Sequence, residues 1–200
     1  MKSITRVVAV LVLFVSANVH AADIWGTLSQ SNRNGRIVAQ AQYEVGLLAG
    51  QCKVFAVEVV RIASNQANGY VYPGYGNPWD TYTRWLPGTA SWAYPGDSSS
   101  YFWNSSDPNY QYVTATAGNG TSPLFNVVPG SIIQMRIKLK SGGYTPHTAI
   151  VEVNNTSTQV LTLIESNYNG DSYVKRRWIN YPDFVSALEA NYEYTIYQIK

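Results

Sequence analysis

The chain has 200 residues, 46% of them hydrophobic and 13% charged, with fourteen Lys and Arg against twelve Asp and Glu. Two of the bases, Lys2 and Arg6, fall in an N-terminal stretch that holds no acid, so the remainder is close to neutral. That balance argues against a nucleic-acid footprint or a polybasic membrane patch, both of which need clustered cations. One cysteine and two histidines exclude an intrachain disulfide and disfavour a zinc site of the usual ligands, and no cofactor is expected.

The first residues, "MKSITRVVAVLVLFVSANVHA", combine a short basic head, an apolar run from Val7 to Val15 and a small-residue ending at Ala21. This pattern predicts a signal peptide over residues 1–21, cleaved after Ala21. The run is shorter than the roughly 20 apolar residues that a membrane helix needs. Residues 22–200 are expected to form one domain, soluble and secreted or periplasmic, with no membrane partner. Because His20 lies in the leader, the mature chain would keep Cys52 and His147 as its only thiol and its only imidazole.

From Gly35 to Ala63 the residues are apolar or helix-tolerant, interrupted at Gly46 and Gly50, which predicts two helices with a turn near Gly50. In the second, "CKVFAVEVVRIA", Val54, Val57, Val60 or Arg61, and Ile62 fall near helical spacing, although the many β-branched residues also suit a buried strand. Residues 64–123 are rich in Gly, Pro, Asn, Ser, Tyr and Trp. So many aromatics suit ordered loops over the core better than a disordered linker, with a short helix around Trp79 to Leu86. After Pro129-Gly130 the pattern turns strand-like. "SIIQMRIKLK", "HTAIVEV" and "QVLTLIES", separated by Ser141-Gly142-Gly143 and "NNTST", predict an antiparallel meander. "SYVKRRWI" and "YEYTIYQI" add strands, with "YPDFVSALEA" as a short helix between them. Helices first and sheet afterwards point to an α+β fold.

A thiol attacks as its thiolate and needs a helix N-terminus or an imidazolium nearby to ionise at neutral pH. Cys52 stands where Gly50 would end one helix and let another begin, which would aim the positive end of the helix dipole at the sulfur. The plain alternative is a small buried hydrophobe. His147 follows the Gly-rich turn and Pro146 at a strand start, and alternation places His147, Ala149, Val151 and Val153 on one face. On the next strand Glu165 and Asn167 share a face, and either would serve as the group that fixes the imidazole tautomer. Glu152 is a rival orienter, but alternation sends it to the face opposite His147.

"GQC" at the start of an apolar segment, the "PGSIIQM" strand, "PHTAIVEV" and "LIESNYNG", in that order, resemble the CHAP family. These are the cysteine- and histidine-dependent amidohydrolases and peptidases of the papain-like superfamily. The resemblance spans about Gln40 to Asn169 in four short islands. It implies a papain-like arrangement of N-terminal helices packed on an antiparallel sheet, with Cys52 as nucleophile, His147 as general base and acid, Glu165 as orienter and Asn167 assisting. It also implies an oxyanion contact from the Cys52 backbone and places Gln51 beside the substrate. Ser131 stands where the family usually has Asp, Pro146 where it usually has Gly, and the 64–123 insertion is longer than a compact member needs.

Family members commonly cleave peptidoglycan amide bonds, so the resemblance implies a secreted amidase or endopeptidase with peptidoglycan or another peptide as substrate. Trp79, Trp85, Trp92 and Trp103 would stack on sugars or peptide side chains, or else pack the insertion to the core. A toxin with the same site, held by an inhibitor or immunity protein, is a second reading. A glycan-binding or adhesion module with an inert Cys52 is a third.

Overall fold

A computed structural model describes residues 27–67, 113–139, 141–168, 170–189 and 194–199. The expected leader, the aromatic segment that holds Trp79, Trp85, Trp92 and Trp103, and the short helix expected around Trp79 to Leu86 lie outside the described residues.

Helix α1, Gln30–Tyr43, starts at Ser29, whose hydroxyl accepts a hydrogen bond from the Asn32 N–H at 3.2 Å. A serine there satisfies one of the N–H groups that a helix start leaves without an intrahelical acceptor. Helix α2, Cys52–Ala67, buries Cys52, Phe55, Ala56, Val59, Val60 and Ala63. That i, i+3, i+4, i+7 stripe decides for helix over strand, because one helical face can enter the core while the β-branched residues keep helical backbone geometry. Val60 and Ile62 of the spacing read from the sequence are buried, and Phe55, Ala56 and Val59 add to that face. Between the helices, residues 44–51 bond to the approach of a later strand: Gly46 N–H to the Val174 carbonyl at 2.9 Å and Ala49 N–H to that of Ser172 at 3.0 Å.

Among the described residues six strands follow: β1 Val113–Gly118, β2 Ile132–Lys138, β3 Tyr144–Asn155, β4 Val160–Ser166, β5 Val174–Asn180 and β6 Tyr194–Ile199. They form a six-stranded antiparallel sheet in the order β1-β6-β2-β3-β4-β5. The meander β2-β3-β4 is the one read from the sequence, and helix α3, Tyr181–Ser186, lies between β5 and β6. Strand β1 and the 3-10 helix Ser122–Asn126 correct the reading of 64–123 as loops, as does the end of α2 at Ala67. Strand β1 gains its pairing from β6, nearly eighty residues later, a partner invisible to any local pattern.

Both faces of the sheet are covered. Ile132, Ile150, Ile164, Val174, Tyr197 and Ile199 pack with the two long helices, and Ile133, Met135, Val151 and Leu163 pack with Leu124, Tyr181 and Phe184. Two buried faces explain why Leu161 to Ser166 are all buried, where a one-faced strand would alternate. A register shift between Val151 and Val153 breaks the expected face of β3, and Val153 is 47% exposed instead of sharing the buried face of His147. An extra residue in one strand changes the side to which later side chains point.

Gly130 fixes how the sheet meets α1. Its φ is +82°, and a Cβ there would stand 2.7 Å from the Asn34 Cα. Gly130→Ala therefore adds left-handed backbone strain to a backbone clash, and is expected to cost about 2–4 kcal/mol. A urea unfolding midpoint unchanged from that of the unsubstituted chain would refute this.

Candidate active site

Cys52 is the first residue of α2, and the helix begins with the Phe55 N–H bonded to the Gln51 carbonyl at 3.0 Å. Gly50 has φ +71°, a backbone turn that residues with a Cβ rarely adopt. The turn is also tied to the end of β4, where the Ser166 hydroxyl donates to the Gly50 carbonyl at 2.7 Å. The expectation that Gly50 lets a helix begin at the thiol is met, and Ser166, which the sequence did not single out, fixes that turn to the sheet.

His147 lies three residues into β3, opposite Met135, rather than at the strand's first position. Strand parity puts it on the same face as Ala149 and Val151, and thereby as Leu163 and Glu165 of β4. Its Nε2 is 2.9 Å from Glu165 Oε2, with His147 2% and Glu165 1% exposed. The His147 ring also shares a hydrogen bond with the Cys52 side chain. Cys52 is itself only 5% exposed. Apolar packing alone does not place a thiol against an imidazole backed by a buried carboxylate.

The electrostatics follow from this line of contacts. Burial pushes the His147 pKa down, but hydrogen bonds to Cys52 and Glu165 and the negative charge of both prevail, raising it from 6.5 to about 9. Burial pushes Glu165 up, yet bonds from His147 and Arg177 outweigh it and hold the carboxyl below its usual range. Imidazolium and carboxylate therefore form a charged pair at neutral pH, with the Cys52 side chain bonded to the imidazole. A thiolate paired with an imidazolium is a ready nucleophile beside a proton donor.

Arg177, on β5, was not anticipated. Its Nε donates to Glu165 Oε1 and its Nη2 to Oε2 at 3.1 Å, while its guanidinium lies 4.2 Å from the centroid of the Tyr168 ring. Tyr168 in turn meets His147 edge to face, with centroids 5.5 Å apart. A usable signal was present in "VKRRWIN", since a strand with consecutive cations beside a strand bearing a buried glutamate implies a counter-ion.

The hydrogen bonds of Asn167 go to Gln51 and Ser172. Strand β4 ends at Ser166 and Asn167 has φ +60°, so the simple alternation that put it on the face of Glu165 does not extend that far. Its amide donates to Gln51 Oε1 at 3.2 Å and its carbonyl oxygen accepts from the Ser172 N–H at 3.3 Å. Gln51 is exposed, one residue before Cys52. Of the two open choices for orienter, the contacts therefore favour Glu165. Glu152 lies on the opposite face, as expected, and accepts from Arg176 Nη2 at 2.6 Å and from Gln42 at 2.7 Å.

A cavity of about 730 Å³ between α1 and α2 is lined by Tyr43, Glu44, Leu47, Phe55, Glu58 and Ile62 among others. Neither His147 nor Glu165 reaches it, so it is separate from the thiol-imidazole corner.

No family model matches the chain, and no curated protein matches it. Among solved structures, the chain is similar to the crystal structure of Ly7917 with the hydrolyzing product of MDP, at 17% identity and TM-score 0.47, covering 82% of this chain and 62% of that one. It is similar also to the crystal structure of Ly7917, at 17% identity and TM-score 0.46, covering 82% of this chain and 61% of that one. The chain thus spans about three-fifths of the length of these two structures.

Proposed function

We propose that this chain is an exported cysteine amidohydrolase of papain-like type that hydrolyses amide bonds in cell-wall peptides. The observation that carries the reading is the unbroken hydrogen-bonded line from the Cys52 thiol through His147 to Glu165. The four sequence islands that resemble the CHAP family support the substrate class, and the expected leader supports export to where such a substrate lies.

In this reading the Cys52 thiolate adds to the amide carbon, and the carbonyl π pair moves onto oxygen. The oxyanion forms at the positive end of α2, where backbone N–H groups are aimed out of the helix. Collapse of the intermediate breaks the C–N bond while His147, as imidazolium, gives its proton to the leaving amine. A thioester remains. His147, now neutral, takes a proton from water, the hydroxyl adds to the thioester, and the carboxylic acid leaves as the thiolate returns. Glu165 holds the ring in place by accepting from Nε2, which leaves the other nitrogen for both proton transfers.

The test uses the single thiol. The chain incubated with purified peptidoglycan is expected to release new amino groups, and one equivalent of iodoacetamide per chain is expected to stop the release. Amine release that continues after complete alkylation would refute the mechanism. Polysaccharide binding without any amine release, indifferent to alkylation, would favour a binding module instead.

A further inference from the structure

We propose that Arg177 is a positioning residue for this site, holding Glu165 charged and oriented behind His147 so that Cys52, His147, Glu165 and Arg177 form one electrically balanced buried row. This rests on the reading of Cys52 as an activated thiol.

The geometry is specific. The fork of the guanidinium engages both oxygens of Glu165, and one of them, Oε2, is the oxygen that His147 Nε2 also contacts. A bidentate contact fixes the plane of the carboxylate as well as its charge. The guanidinium is held from its other side by the Tyr168 ring, whose edge contact with His147 closes a loop of four side chains. Rotation of any one of them would disturb the others.

The charge argument counts alternating signs: thiolate, imidazolium, carboxylate and guanidinium sum to zero. Without Arg177 the remaining three sum to minus one, in a place where Glu165 is 1% and His147 2% exposed. A net buried charge is costly, and the row would regain neutrality by binding a proton. On Cys52 the proton removes the thiolate directly; on Glu165 it removes the charge that helps keep His147 an imidazolium, and so weakens the partner of the thiolate. Among the described residues, the other charged groups considered around the row are engaged elsewhere. Lys175, on the same face of β5, pairs with Asp171; Arg136, on β2, pairs with Glu189 at 2.8 Å; and Arg176 and Glu152 pair on the opposite face of the sheet. On α2, Glu58 lines the cavity between the helices, away from this row. None of them is placed to replace Arg177.

The test is the pH profile of iodoacetamide alkylation of the full chain. In Arg177→Met the midpoint is expected to rise by about one unit or more, with alkylation about tenfold slower at pH values below both midpoints. Arg177→Lys should recover much of that shift, since charge returns without the fork. Arg176→Met, which breaks the matching ion pair on the other face, should leave the profile unchanged. A midpoint in Arg177→Met equal to that of the unsubstituted chain, or a lysine variant as shifted as the methionine one, would overturn the proposal. Should Arg177→Met fail to fold, Arg177→Gln, neutral and polar, is read in its place. If the unsubstituted chain itself reacts like an ordinary thiol, with a midpoint near about 8.5, the reading of Cys52 fails before Arg177 is at issue.

Discussion

Cys52→Ala and His147→Ala are each expected to lower kcat for amide hydrolysis by on the order of 10⁶-fold, and the double variant to be no worse than either alone. The reason is that the two groups act as one device. Without the sulfur there is no nucleophile to deprotonate, and without the imidazole the thiol must ionise unaided and the amine must leave unprotonated. Initial rates of amine release from purified peptidoglycan check this. Losses that multiply in the double variant would mean that the two residues act independently, against the hydrogen bond between them.

A pH series adds a second handle on the same pair. His147 titrates at about 9 while it is bonded to Cys52 and Glu165. Raising the pH through that value removes the proton that the leaving amine needs and leaves the thiolate intact. Alkylation of Cys52 should therefore persist above pH 9 while hydrolysis falls. The two activities falling together on the alkaline side would remove His147 as the proton donor.

Much of this arrangement was legible in the sequence because local patterns carry it. Gly50 before Cys52 signals a break and a new helix, and the Gly-rich turn before Tyr144 and the polar turn after Asn155 delimit a meander whose parity brings His147 and Glu165 to one face. What was not legible depends on pairings distant along the chain or on single-residue shifts. Arg176 and Arg177 are neighbours in sequence, yet they turn to opposite faces of β5 and serve different glutamates, Glu152 and Glu165. Only the sheet register tells which arginine meets which acid. Likewise the shift at Val151 and Val153 moved Val153 off the buried face, and at the left-handed turn of Asn167 the amide bonds to Gln51. Alternation is reliable inside a regular strand and fails at bulges and ends.

Glu165→Gln is expected to fold less stably by about 3–5 kcal/mol and to lose about 10³- to 10⁴-fold in activity. The amide has nearly the shape of the carboxylate and can still accept from His147 Nε2, so steric loss is small. The charge is what disappears. Arg177, with its side chain 19% exposed, and the His147 imidazolium are then left facing each other across a neutral group. Two like charges in a buried row favour loss of the ring proton, and with it the thiolate-imidazolium pair. The acid limb of stability gives an independent check. Glu165 is held below its ordinary value in the fold, so it contributes stability that is present above about pH 4.5, its unfolded range, and is lost as pH falls through the lower folded value. Glu165→Gln removes that titration. Between neutral pH and pH 3 the urea midpoint of the variant should fall less steeply than that of the unsubstituted chain. Parallel acid slopes for the two proteins would mean that Glu165 is not ionised in the fold, and the charged row built on it would fall with that result.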